Sequence, residues 1–361
     1  MPGGNPSTGF PPNPCPIFLY SRGISLAAFF KRRMKTLSFW GQNFAPFLFT
    51  MRRITAITAA IILALTLAAC GPAAQDADTD AAFGFTDDLG RSVTVNEAPQ
   101  RVAALIGSFA DVWCLAGGRD TLVAAADDAW TSFDLGLGEE VANLGAIKSP
   151  SLETLLAAGP DLVLASVNTA SNLELEEVLE SAGITVAYFD IQGFEDYLNM
   201  LEICTELTGQ RENYERYGLD VKAEIDAAVA RADGSAPSVL VIRATGVSCK
   251  VKGSTDNVLG EMLADLGCVN VADSDTSLLE NLSLEAIIAA EPDYIFAVLQ
   301  GSDPTDAMET LEGTLLANPA WSGLQAVREG RFYTLEHELY NLKPNARWGE
   351  AYEKLADILY P

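Results

Sequence analysis

One histidine, His337, stands in 361 residues, and that scarcity closes several routes. A zinc or manganese site is built from several imidazole, thiolate or carboxylate ligands, so one His cannot make the multi-histidine site of a metal-ion importer. A Ser-His-Asp triad would have to run through His337, and no nucleophile is signposted for it. The chain also lacks a P-loop, a GxSxG elbow, an HExxH pair and any GxGxxG placed after a strand. With no hydrolase or oxidoreductase machinery in view, the chain reads as a non-enzyme with no catalytic residues, no cofactor and no protein-held metal. Cysteine is sparse as well. Cys114, Cys204, Cys249 and Cys268 show no CxxC spacing and sit in apolar contexts, so they read as buried free thiols, with a Cys249–Cys268 bridge left open.

Basic residues are scarce too: 23 Lys and Arg against 49 Asp and Glu. Seven of the basic residues and none of the acidic ones precede residue 70, which leaves 16 against 49 afterwards, a formal −33. Such a field repels nucleic acid and anionic lipid heads and favours cationic or metal-bearing ligands. No apolar run is long enough to span a bilayer as a helix. The uncharged stretch Ile54–Ala69 has sixteen residues, where about 20 are needed.

What is there begins with that stretch. Met51-Arg-Arg, the uncharged run and Leu67-Ala68-Ala69-Cys70 have the order of a secretory signal. The last four residues resemble the lipobox of bacterial lipoproteins, which implies lipidation of Cys70 as the mature N-terminus. Residues 51–69 are then the signal peptide, and 1–50, rich in Pro, Gly and Phe, an upstream extension with Met51 the natural start. Residues 70–83 read as a flexible acidic tether; Gly71–Ala82, twelve residues, has a mean reach of ~17–21 Å. The expected location is the extracytoplasmic face of the cell membrane, held by lipid alone.

The body contains one element twice. Ser151–Ala165 recurs as Ser283–Ala297 at an offset of 132, with eight of fifteen positions identical. Each copy is a Ser N-cap, a Glu in the first turn, a short amphipathic helix, a Pro-Asp break and an apolar strand. Two similarly built α/β lobes follow. Apolar runs predict strands at 101–106, 121–125, 161–166 and 185–189, then at 238–242, 269–271, 294–298 and 331–334. Strands apolar throughout and alternating with helices imply mainly parallel sheets flanked by helices. The spans are an N-terminal lobe over 84–192, a connecting helical segment over 193–233 and a C-terminal lobe over 234–361. The connector carries apolar residues at helical spacing and no Pro, and reads as one long helix that Gly209 or Gly218 would interrupt.

Several short motifs accompany this plan: Asp88-Leu-Gly-Arg91, Pro99-Gln-Arg-Val102, Leu152-Glu153 before Pro160-Asp161, Gly260–Asn270, Asn318-Pro-Ala-Trp321 and Val327–Tyr333. In this order they resemble the substrate-binding proteins of ABC importers for iron–siderophores, haem and cobalamin, over about residues 84–361. The resemblance implies two α/β lobes joined by a long helix with the ligand cleft between them. It also implies a small-molecule metal chelate as ligand, a permease dimer with its ATPase as partner, and a monomer in solution. Glu153 and Glu285 match the position at which this family carries one exposed, permease-docking glutamate per lobe. Each also complements a helix N-terminus, and the two roles are compatible.

Ligands of open α/β sheets bind beyond the carboxyl ends of the strands. That rule selects Ser108, Phe109, Asp128, Trp130 and Asn168 in the first lobe, and Arg243, Asn257, Gln300, His337 and Tyr340 in the second, with Arg347 before the last helix. Arg243 suits a ligand carboxylate or a salt bridge within its lobe; Trp130 suits a flat ligand or a core anchor. His337 reads as an exposed histidine before it reads as an axial ligand. Near the cleft, Lys343, Arg347 and Trp348 would add two cations and an aromatic. The alternative function is a non-transport surface receptor or sensor module on the same fold.

Overall fold

The computed structural model describes residues 82–255, 257–274, 278–279, 282–301 and 304–361, all within the unit Asp76–Pro361. The expected signal peptide, Cys70 and the tether up to residue 81 lie outside the described residues. Strand β1 (Phe83–Thr86) pairs antiparallel with β2 (Ser92–Val95), so Phe83 belongs to the body and not to the tether.

The apolar runs become strands, and those at the centre of each sheet are buried on both faces. In the N-terminal lobe β3 (Val102–Ala104), β4 (Leu122–Ala125), β5 (Ala142–Asn143), β6 (Leu162–Ser166) and β7 (Thr185–Phe189) form a parallel sheet ordered β5-β4-β3-β6-β7. In the C-terminal lobe β8 (Ser238–Ala244) has β9 (Cys249–Lys252) antiparallel beside it. With β10 (Val269–Asn270), β11 (Tyr294–Leu299) and β12 (Phe332–Leu335) it makes the parallel order β10-β8-β11-β12. All eight predicted strands are present. Strand β9 escaped notice because Lys250 and Lys252 alternate with Val251, the pattern of an edge strand and not of a buried one. The four described cysteines are free thiols, Cys249 and Cys268 included.

The repeated element folds the same way in both lobes. Ser151 Oγ accepts the Thr154 N–H at 3.2 Å, and Ser283 Oγ accepts the Ala286 N–H at 3.3 Å. The helices Leu152–Ala158 and Leu284–Ala290 both end on a left-handed residue, Gly159 at φ 58° and Glu291 at φ 42°. The aspartate after each proline then reaches the neighbouring strand. Asp161 Oδ2 accepts the N–H groups of Gln100 and Arg101 at 2.8 and 3.1 Å, at the entrance to β3. Asp293 Oδ2 accepts the N–H and the hydroxyl of Ser238 at 2.8 and 2.7 Å, at the start of β8. These bonds hold the carboxyl of Asp293 below its ordinary pKa.

The connecting segment corrects the expectation of one long helix over 193–233. The helix Phe194–Thr208 ends at Gly209, which adopts φ 69°, and the chain reverses. Arg211–Tyr214, a π turn over Glu215–Leu219 and Asp220–Val229 then run back as one helical rod. Tyr197 Oη donates to the Tyr217 carbonyl at 2.8 Å, and Lys222 pairs with Glu195 at 2.7 Å, which fixes the antiparallel pairing. Gly218 interrupts nothing: it is buried in the π turn, where a Cβ would come within 2.7 Å of Leu198. The first helix stays with the N-terminal lobe, its Thr208 hydroxyl donating to the Ala116 carbonyl at 2.6 Å. The second crosses to the C-terminal lobe and packs along the final helix Trp348–Leu359, where Arg231 pairs with Asp357 at 2.6 Å. A single buried apolar cluster follows this route, from Val102 and Phe109 through Tyr197 and Leu201 to Val239, Trp348 and Leu355.

Glu291 occupies a left-handed conformation that its counterpart Gly159 adopts without a Cβ clash, and it is exposed. Glu291→Gly is therefore expected to stabilise the fold by about 1 kcal/mol in urea denaturation. Gly159→Ala should cost a similar amount. A lower midpoint for Glu291→Gly would remove the strain argument.

Candidate ligand cleft

In both sheets the chain order reverses beside the first strand, between β3 and β6 and between β8 and β11. Loops leaving the carboxyl ends of those strands diverge at such a point and leave a crevice. The crevices of the two lobes face each other. A larger cavity of about 280 Å³ is lined mainly from the N-terminal lobe, and a smaller one of about 120 Å³ from the C-terminal lobe. Gln192, Asn341 and Lys343 line both, so the two cavities are parts of one cleft.

Seven of the eleven expected cleft residues meet there. Ser108, Phe109, Asp128 and Asn168 line the larger cavity, and Arg243, Asn257 and Tyr340 the smaller. Ser108 and Phe109 lie in the first turn of the helix Gly107–Leu115, and the Phe109 ring meets Phe189 edge to face at 6.1 Å. Both oxygens of Asp128 accept the Gly107 N–H at 2.9 Å, at the start of that helix. Gly107 is required for this approach, because a Cβ would come within 2.6 Å of the Ala129 nitrogen. Burial raises the Asp128 carboxyl to about 6, against the opposing pull of the Gly107 N–H. Asn168 Nδ2 donates to Asp190 at 2.6 Å. Asn257 caps the helix Val258–Asp265 by accepting the Gly260 N–H at 2.9 Å. Tyr340 Oη donates to the Ala351 carbonyl at 3.1 Å, and Arg243 stands near the end of β8 opposite Val298.

Four expected residues line neither cavity. The indole N–H of Trp130 donates to the Leu137 carbonyl at 3.3 Å and its ring packs on the main core, so it is an anchor. His337 Nδ1 lies 3.1 Å from the Leu299 carbonyl, which holds the imidazole against the end of β11. Gln300 donates its backbone N–H to the Ala244 carbonyl at 2.7 Å. Arg347 is held by Glu350, with Nε at 2.7 Å and Nη2 at 3.1 Å from its carboxylate. Trp348 is wholly buried in the core.

Gln192, Asn341 and Lys343 complete the waist of the cleft. Gln192 lies three residues past β7 and fits the same strand-end rule. Lys343 is half-buried; burial pulls its pKa down against the attraction of Asp190, Glu261 and Asp196. Behind the cleft, buried Asn345 joins the lobes. Its Nδ2 donates to the Ser108 carbonyl at 3.0 Å and to Asp111 at 2.8 Å.

Away from the cleft, Glu153 and Glu285 are both exposed in the first turns of the repeated helices. Glu285 accepts the Ser283 hydroxyl at 3.0 Å, and with its own N–H this holds the carboxyl below its ordinary pKa. One turn further on, Leu156 and Ile288 are exposed at equivalent positions, 39% and 40%.

The family model described as Periplasmic binding protein matches residues 102–339. A Bacillus subtilis protein provisionally named as ABC transporter substrate-binding lipoprotein YhfQ is 20% identical over 81% of this chain and 93% of its own length. The Fe(3+)-citrate-binding protein YfmC of the same organism is 26% identical over 70% of this chain and 78% of its own. Among solved structures, Staphylococcus aureus SirA complexed with staphyloferrin B superposes with a TM-score of 0.60 at 21% identity, covering 77% of this chain and 97% of that one.

Asp128 sets a pH test of the cleft. Its folded pKa of about 6 lies above the ordinary 3.8. Its contribution to stability is thus complete below about pH 4 and is lost as pH rises towards about 6. Asp128→Asn should remove that part of the slope when urea midpoints are compared from pH 4 to pH 7; an unchanged slope would place the titration elsewhere.

Proposed function

The chain belongs to the periplasmic binding protein family, and from that premise we propose that it is the extracytoplasmic solute-binding component of an ABC importer, receiving a metal-bearing chelate such as a ferric siderophore, haem or a corrinoid. The observation that carries this reading is the cleft itself, into which both parallel sheets turn their carboxyl ends. Ligand enters between the lobes and leaves unaltered. Lobe movement is modest, because the bridge is a helical rod inside a shared core. Lipid on Cys70 keeps the body beside its permease at high local concentration. The relative YhfQ, whose name includes the word lipoprotein, supports that anchor.

Docking runs through Glu153 and Glu285. Each stands on the same helix face as an exposed apolar side chain three residues on, Leu156 or Ile288. An acidic group beside an apolar one, presented once per lobe, suits a two-fold receptor offering a cation and an apolar contact at each half.

Thermal-shift screening against ferric siderophores, haem and cobalamins tests the ligand class. A true ligand at 100 times its Kd raises stability by about 2.7 kcal/mol, and a flat response throughout would count against the reading. For docking, the double substitution Glu153→Arg and Glu285→Arg is expected to abolish uptake in reconstituted vesicles while leaving ligand affinity intact. Lost affinity would move these residues out of the docking role.

A further inference from the structure

The strands of the first large sheet all precede residue 193 and those of the second all follow residue 233, so the chain passes from lobe to lobe through the connecting segment. The rod that makes the crossing is not uniform. Its first part, Arg211–Tyr214, packs on the helix Phe194–Thr208 of the N-terminal lobe. Its last part, Asp220–Val229, packs on the final helix of the C-terminal lobe. The π turn over Glu215–Leu219 stands between them, where the packing of one lobe gives way to that of the other. In this turn the Asp220 N–H donates to the Glu215 carbonyl five residues back, one residue more than an α-helix spans. Helices bend at such turns.

Two fully buried side chains carry hydrogen bonds across the same boundary. Tyr197 Oη donates to the Tyr217 carbonyl, inside the π turn, at 2.8 Å. Asn345 Nδ2 donates to the Ser108 carbonyl at 3.0 Å and to Asp111 at 2.8 Å. Burial, and after it the nearby Asp111 carboxylate, push the pKa of the Tyr197 hydroxyl up, which places Asp111 between the two. A polar line thus runs Asn345–Asp111–Tyr197–Tyr217 through an otherwise apolar boundary. Beside it Phe194 meets Trp348 edge to face at 6.2 Å, and Val221 and Ile225 are buried. The Lys222–Glu195 pair lies outside it, on exposed side chains.

When one body turns against another, the groups on the axis keep their separations and all others change them. A hydrogen bond tolerates little change in distance or angle, whereas apolar contacts are non-directional and can slide. Buried polar contacts between moving parts therefore survive best on the axis. We propose that the polar line from Asn345 to the π turn is the hinge axis of the two lobes, and that the turn takes up the rotation by exchanging i→i+5 for i→i+4 bonds. The position of this axis does not depend on the guest. Its use in opening the cleft rests on the solute-receptor reading.

The test is the distance distribution across the cleft of the free protein, read by pulsed electron spin resonance between labels at Lys148 and Val247. Both are exposed: Lys148 follows Ile147 of the larger cavity's lining, and Val247 lies on the β8–β9 turn beyond Arg243. Labels carried on a noncanonical ketone side chain leave the native thiols in place. Deleting Leu219, an exposed residue of the turn, puts Asp220 four residues after Glu215 and lets the rod run as α-helix throughout. The distribution should then narrow. Tyr197→Phe and Asn345→Gly should each broaden it; glycine at 345 keeps the left-handed backbone. Tyr197→Phe should also quicken amide exchange at residues 219–221 by about fivefold, the loss of one ordinary hydrogen bond. Thermal melts check that each variant folds, and the two substitutions decide the matter if the deletion does not. An unchanged width in the folded deletion, or in both substitutions while the melting temperature falls, would make the polar line a fixed brace and overturn the hinge. That result would leave the receptor reading intact, since the latter fails only if no chelate binds.

Discussion

One carboxylate per lobe registers the whole design. Asp161 and Asp293 grip the start of the adjacent central strand, so that Val102 faces Leu162 and Val239 faces Tyr294. Each lobe's cleft loops leave the far ends of those same strands, and a slip of one residue would turn every strand side chain to the opposite face. Ser166 would leave the larger cavity, and Arg243 would leave the smaller one. The bonds are charge-assisted and stand at the end opposite the cleft, so the site inherits its geometry from an interaction it never touches. The Pro-Asp pair in the repeated element is thereby explained: proline ends the helix and aspartate sets the register.

Most of the architecture was legible from local pattern. Runs apolar throughout announced the parallel strands, and the 132-residue offset announced two lobes. Seven cleft residues followed from a rule about strand ends, which needs only the strands. What escaped depends on tertiary approach. Gly209 and Gly218 are the same residue in the same kind of run, yet one ends a helix and the other lies beneath Leu198 inside one. Nothing adjacent in sequence separates these cases. His337 sits near a strand end, as the rule asks, but a carbonyl 38 residues away turns its ring. Of Lys343, Arg347 and Trp348, which the sequence offers together, only Lys343 lines the cleft, from a loop eight residues beyond β12, and only tertiary packing separates the three.

The two charge scales of the molecule are separable because they act over different distances. Exterior carboxylates are screened within about 8 Å at physiological salt, so they shape approach and solubility. Inside the cleft, the apolar walls lower the effective dielectric and strengthen whatever Arg243 and Lys343 meet.

Asn345 gives the cleft a closed back. It is wholly buried, holds φ 51°, and ties Ser108 and Asp111 of one lobe to the segment leading into the last helix of the other. Parting the lobes there would strand buried polar groups at ~1–3 kcal/mol each, whereas parting them at the mouth breaks nothing comparable. Separation of the lobes is therefore costliest beside Asn345 and cheapest at the mouth. A motion that opens the mouth turns about this residue, and the side chains nearest to it travel least.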